Sequence, residues 1–134
     1  MTKDSSNFTK YIGIDPGKSG GICVIWKEKE EIFIEAKKCP SSVHDMSLMF
    51  ALTIGETPPF FIRVVIEKVW ARPHDGRSSV FTFAENYGQW EGIIASHEIK
   101  SGYVAPQTWM RYYDVPKKLS KTDRKNHIKG LAKK

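Results

Sequence analysis

Two carboxylates stand where apolar runs stop. Asp15 closes the stretch Tyr11-Ile12-Gly13-Ile14, and Glu67 closes Phe60-Phe61-Ile62-Arg63-Val64-Val65-Ile66. Runs of this kind read as buried β-strands. Each acid would then sit at the carboxyl end of a strand, where open α/β sheets form their binding crevices. Behind Asp15 comes Pro16-Gly17-Lys18-Ser19-Gly20-Gly21, a turn whose glycines let backbone approach a ligand closely. A carboxylate in that setting is placed to hold a metal ion or to face a phosphate. Plainer roles also suit both acids. Asp15 can cap the turn, and Glu67 can pair with Lys68 or Arg72.

A second group of candidates lies on the loop from Lys68 to Arg77, which carries Trp70, Arg72, His74 and Arg77. Aromatic and cationic side chains mixed on a loop suit contact with bases and phosphates, although a Trp there can equally be a packed one. Charge adds to this. The chain of 134 residues carries a net charge of +6. Positions 117–134 hold eight Lys or Arg against one acid, whereas positions 1–116 hold 13 basic and 14 acidic residues. A surplus confined to one end points to a polyanion partner, nucleic acid above all, or to a solvated Lys-rich terminus. His127 and the methionines are assigned no chemistry.

The elements that must position these groups follow from pattern. Tyr11–Asp15 and Gly21–Trp26 fold back as a hairpin through Pro-Gly and Gly-Gly turn formers, and Glu30–Lys38 follows as a third antiparallel strand. Ser41 or Ser42 caps a helix over Val43–Ile54, with Val43, Met46, Met49, Phe50 and Leu52 towards the core. Phe60–Ile66 is a nearly continuous apolar run, broken by Arg63, that suits a parallel strand covered on both faces. A long helix, Val80–Glu98, is capped by Ser78 or Ser79. Its apolar face holds Phe83, Tyr87, Trp90, Ile93 and Ile94, and Gly88 and Gly92 permit close approach of a sheet or of a second copy of the helix. Strand character returns over Glu98–Val104. A short helix spans Thr108–Tyr112, and a last one begins at Ser120 or Thr122 with Ile128, Leu131 and Ala132 in one stripe. The order β-β-β-α-β-α-β-α-α is that of an α/β, ribonuclease H-like fold, a mixed sheet opening with a three-strand antiparallel meander and bearing helices on both faces.

At 40% hydrophobic residues the chain can form one domain over 1–134 with a real core. Residues 1–9 are polar and read as disordered. No apolar run is long enough to span a bilayer, and no secretory leader is evident. Cys23 and Cys39 give neither a disulfide framework nor zinc spacing, so a reducing cytoplasmic setting is expected, with Cys23 a small buried hydrophobe.

Four stretches, in this order, resemble the RuvC group of Holliday junction resolvases, most closely its shorter phage-type and bacterial members. They are Ile12-Gly13-Ile14-Asp15-Pro16-Gly17 with Ser19-Gly20-Gly21, Val64-Val65-Ile66-Glu67-Lys68-Val69, Tyr87-Gly88-Gln89-Trp90-Glu91-Gly92, and Val104-Ala105-Pro106-Gln107-Thr108-Trp109. The resemblance implies a homodimeric endonuclease of DNA recombination and repair, in a bacterial or phage-infected cell. It would cut branched, four-way DNA using two ions of Mg2+ (or Mn2+). Asp15 and Glu67 match the first two catalytic and metal-binding carboxylates of the group. Magnesium demands hard oxygen ligands, and carboxylates on adjacent strands can share two ions.

Two further acids of the group lie on a last helix in an Ala-Asp-Ala-like setting. The sequence ends at Lys134, where that helix would begin, and neither Asp114 nor Asp123 has that context. The expectation is a C-terminally incomplete site that binds metal weakly and cuts poorly. The resemblance also places Lys117, Lys118, Lys121, Arg124 and Lys125 where the group carries lysines near the scissile phosphate, with Lys121 the preferred catalytic cation. Lys18, Arg72 and Arg77 join them as DNA-binding candidates. Two other functions compete. A sugar-kinase or actin-like ATPase opens with a similar Asp-x-Gly hairpin, but its second half has no room here, so no nucleotide cofactor is expected. A non-catalytic DNA-binding module of ribonuclease H-like shape remains the alternative.

Overall fold

Alternation of side chains builds one sheet with one well-covered face. The computed structural model describes residues 10–68, 70, 74–112 and 123. Strands β1 (Lys10–Asp15), β2 (Gly21–Glu28) and β3 (Glu31–Lys38) form the expected antiparallel meander. Helix α1 (Val43–Ile54) leads through a 3-10 turn at Pro59–Phe61 to β4 (Ile62–Glu67). Helix α2 (Arg77–Ser96) then leads to β5 (Ser101–Val104). The sheet order is β3-β2-β1-β4-β5, with β4 parallel to β1. That is the mixed α/β sheet anticipated from the element order. Chain contacts divide the molecule into two compact units, Met1–Tyr103 and Val104–Lys134. The second contains α3 (Pro106–Tyr112), which starts on Pro106, a residue whose fixed φ and missing N–H suit a helix's first turn.

The core of the first unit is a single cluster. Ile12 and Ile14 of β1, Ile22 and Val24 of β2, and Ile62, Val64 and Ile66 of β4 meet Met46, Phe50 and Ile54 of α1 and Trp90, Ile93 and Ile94 of α2. All the strand residues in it are even-numbered, so they point to one face. Both helices of this unit therefore lie on that face, and a helix on the other is not among its described elements. Strand β4 alternates, with Arg63 exposed and Val65 half-buried. Covered on one side only, it departs from the expectation of a strand buried on both. Phe60 falls in the 3-10 turn that Pro58 and Pro59 start, and is 81% exposed.

Other expectations shift for local reasons. Ser42 caps α1 as anticipated, its hydroxyl accepting from the Asp45 N–H at 3.1 Å. The buried stripe, however, runs Met46, Phe50, Ile54, while Val43 and Leu52 face solvent. Helix α2 begins at Arg77 behind Gly76, without a side-chain cap, rather than behind Ser78 or Ser79. Glu98 takes a left-handed φ of 59°, finishing the helix and delaying β5 to Ser101. Among the described residues no neighbouring atom lies within 4 Å of a Cβ built on Gly88 or Gly92, so nothing described approaches these glycines closely. Cys23 is half-buried rather than core, and burial raises its thiol pKa.

Candidate active site

Parallel pairing of β1 with β4 brings the two acids together. The register runs from Lys10 opposite Ile62 to Ile14 opposite Ile66. One step further along each strand stand Asp15 and Glu67, the last residues of β1 and β4. Both are odd-numbered. They share the face opposite the core, at the same level, on strands whose backbones neighbour each other at the usual ~4.8 Å of a sheet. As a residue Asp15 is open to solvent, and Glu67 is half-buried. Enough protein nevertheless displaces water from the Asp15 carboxyl to raise its pKa above the ordinary value.

The turn behind Asp15 is held from below. Pro16 and Gly17 are buried, and Gly17 adopts φ 113°, a conformation that favours glycine. The Gly20 N–H donates to the Gly17 carbonyl at 3.0 Å, and the Cys39 N–H donates to the Gly20 carbonyl at 2.9 Å. A Cβ on Gly20 would run into the Asp15 carbonyl oxygen, and one on Gly21 into that of Lys37. The Gly17 N–H is taken by Asn86 Oδ1 at 2.8 Å. Asn86 is 5% exposed and spends its amide on Cys39 Sγ at 3.3 Å and Met46 Sδ at 3.9 Å. One α2 side chain thus ties the turn, the end of the meander and α1 together beneath Asp15. The sequence reading missed Asn86. Its signal was there: Asn86, Trp90, Ile93 and Ile94 follow helical spacing, with one polar residue among apolar ones.

The remaining candidates divide. Lys18 is exposed on the turn, three residues after Asp15, and Arg77 is exposed at the first position of α2. Trp70, three residues beyond Glu67, is 60% exposed, so it is not the packed Trp of the plainer reading. Arg72, Lys117, Lys118, Lys121, Arg124 and Lys125 lie outside the described residues, as does Asp114. Asp123 is helical and exposed, in the second unit.

Among the described residues the donor set falls short of a pair of ions. Among the described residues no group of three or more His, Cys, Asp or Glu side chains could hold a metal. Asp15 and Glu67 are two hard oxygen donors, the ligand type Mg2+ takes while keeping several waters. A two-ion site has no full ligand set among these residues. No described helix is long and apolar enough to cross a membrane.

No protein-family model matches the chain, and no curated protein matches it by sequence. Solved structures do. RuvC of T. thermophilus in complex with a Holliday junction substrate aligns with a TM-score of 0.61 at 12% identity, over 92% of this chain and 79% of that one. A second T. thermophilus RuvC structure gives 0.49 at 15% identity, over 84% and 74%. YeaZ from Pseudomonas aeruginosa gives 0.42 at 9% identity, over 72% and 44%. The first likeness establishes the class: a mixed α/β sheet with the ribonuclease H-like fold of RuvC.

Proposed function

We propose that this chain is a structure-selective endodeoxyribonuclease that cuts four-way DNA junctions by metal-dependent hydrolysis of a phosphodiester. The observation that carries the reading is the in-phase register of β1 and β4, which sets two carboxylates side by side at their strand ends. The RuvC-like fold supports it, since the neighbour with the higher TM-score is itself bound to a Holliday junction. In this reading Asp15 and Glu67 hold a divalent cation. Such an ion supplies Lewis-acid polarisation of the phosphate and a more acidic water. Lys18, Arg77 and exposed Trp70 line up the DNA strand, together with Arg72. Lys117, Lys118, Arg124 and Lys125 neutralise phosphates. Lys121 offsets charge that develops during cleavage. A homodimer would meet over the exposed row Phe81, Ala84, Gly88, Gly92 and Ala95 of α2.

One observation favours the alternative, a DNA-binding module without catalysis: the described residues hold no three-ligand metal group. Cutting by this chain is accordingly expected to be weak. The two readings part on one experiment with a labelled four-way junction and Mg2+ or Mn2+. A nuclease cuts slowly, and Asp15→Asn abolishes cutting while binding persists. Undiminished cutting by Asp15→Asn sinks the nuclease reading. Tight binding with no metal-dependent cutting by the unaltered chain assigns it to the alternative.

A further inference from the structure

Strand β3 is the outermost strand of the sheet, and its outer edge pairs with no described strand. It runs for eight residues, Glu31-Ile-Phe-Ile-Glu-Ala-Lys-Lys38, seven of them exposed. Its register with β2 is unbroken from Gly21 opposite Lys38 to Glu28 opposite Glu31, so no bulge twists the edge away. No proline interrupts it. Ile32 and Ile34 are 67% and 68% exposed on the face opposite the core, and Ile25 and Tyr11 continue that apolar surface inward. Long, regular, apolar edges of this kind are templates for strand addition, and monomers ordinarily blunt them.

The charges on the strand say what it fits. Glu30 and Glu31 stand at one end, Lys37 and Lys38 at the other. Consider a second β3 laid antiparallel beside the first, about a two-fold axis perpendicular to the sheet. Faces are then continuous, and only residues of equal parity oppose each other. Centring the axis on Ile34 sets Ile34 against Ile34 of the second copy, Ile32 against Ala36, Phe33 against Glu35, Glu31 against Lys37 and Glu30 against Lys38, with Lys37, which pairs with Glu35 at 3.1 Å in its own strand, then shared between two carboxylates. Moving the centre one residue either way destroys this match. An axis at Glu35 opposes that carboxylate to its own copy, and an axis at Phe33 opposes Glu31 to Glu35. Like charges directly opposite are unfavourable, and unlike or apolar pairs are favourable.

We propose that two copies of this chain join edge to edge through β3, antiparallel about Ile34, into one continuous sheet. The partner is the chain itself, because the charges at the two ends of the strand are complementary to those of its own reversed copy. The surface is separate from α2 and does not depend on the nuclease reading.

The full chain tests this directly. Ile34→Cys, oxidised in solution and digested, is expected to give a 34–34 linked peptide by mass spectrometry. Leu52→Cys, at a position of similar exposure, is expected to give none. Glu31→Lys places two like-charge pairs across the axis and should raise the dissociation constant seen by sedimentation roughly 2- to 30-fold. Adding Lys37→Glu to it should restore association. A 34–34 link that forms no faster than the Leu52→Cys link overturns the proposal, as does a 34–34 link whose yield is indifferent to the single charge reversal.

Discussion

Asp15 is a carboxylate that folding makes less comfortable. Water is withdrawn from it, which raises its pKa in the folded state above the unfolded value of 3.8. The sign of the consequence is fixed by linkage. Between those two pKa values the folded protein binds the proton more tightly than the unfolded chain, so stability falls as pH rises through that window. Above the folded pKa the penalty is fully present, and it stays so at neutral pH. A group that costs stability in the metal-free protein is one whose charge a cation can offset. Asp15→Asn is therefore expected to melt higher than the unaltered chain in EDTA at pH 7.5. The gap should close towards pH 3.5. Thermal melts followed by circular dichroism across that range check both parts. A lower melting temperature for the variant at pH 7.5 would mean that the carboxylate is held by favourable contacts instead.

At the scale of elements, the molecule depends on what fastens the β1–β2 turn to α2. Phe83 lies 3.4 Å from where a Gly17 Cβ would be, and Asn86 accepts the Gly17 N–H. Asn86→Ala deletes that acceptor and leaves a buried N–H unpaired, at a cost of roughly 1–3 kcal/mol. The expected result in urea is an earlier unfolding midpoint with an unchanged slope. Equal midpoints would show that the turn holds without α2. Sequence alone resolved much of this level. Two serines before an apolar run placed α1 at Val43–Ile54, Ser42 proving to be the cap, and the meander followed from its turn formers. Apolar runs ending in acids marked the strand ends that turned out to be in phase. Asn86 stayed hidden because a polar residue in a helix reads as solvated until its partners, Gly17, Cys39 and Met46, are known to lie beneath it. The α2 start was misjudged because serines are strong caps in general, whereas here Gly76 occupies the cap position. Neither error moved Asp15 or Glu67.

For the molecule as a whole, the sheet supplies a rigid frame and the charge lies elsewhere. Strands and helices of the first unit carry mixed signs, while positions 117–134 hold the basic surplus. Such a segment, if it meets DNA, does so mainly through phosphates, and each phosphate neutralised releases counterions from the duplex. Affinity would then fall steeply with salt in a way that barely depends on base sequence. Junction binding is expected to give a steep line when log K is plotted against log salt concentration. Replacing Lys117, Lys118 and Lys121 together by Ala should flatten it by about 0.9 for every duplex phosphate that is no longer neutralised, with affinity reduced in parallel on junctions of unrelated sequence. Trp70→Ala should behave differently, lowering affinity with little change in slope, because an exposed indole stacks on bases and releases no counterions. Titrations at four salt concentrations separate the two. A slope untouched by the triple substitution would move the DNA-binding surface off the C-terminal segment and onto the first unit, where Lys18 and Arg77 alone among the proposed cations are described.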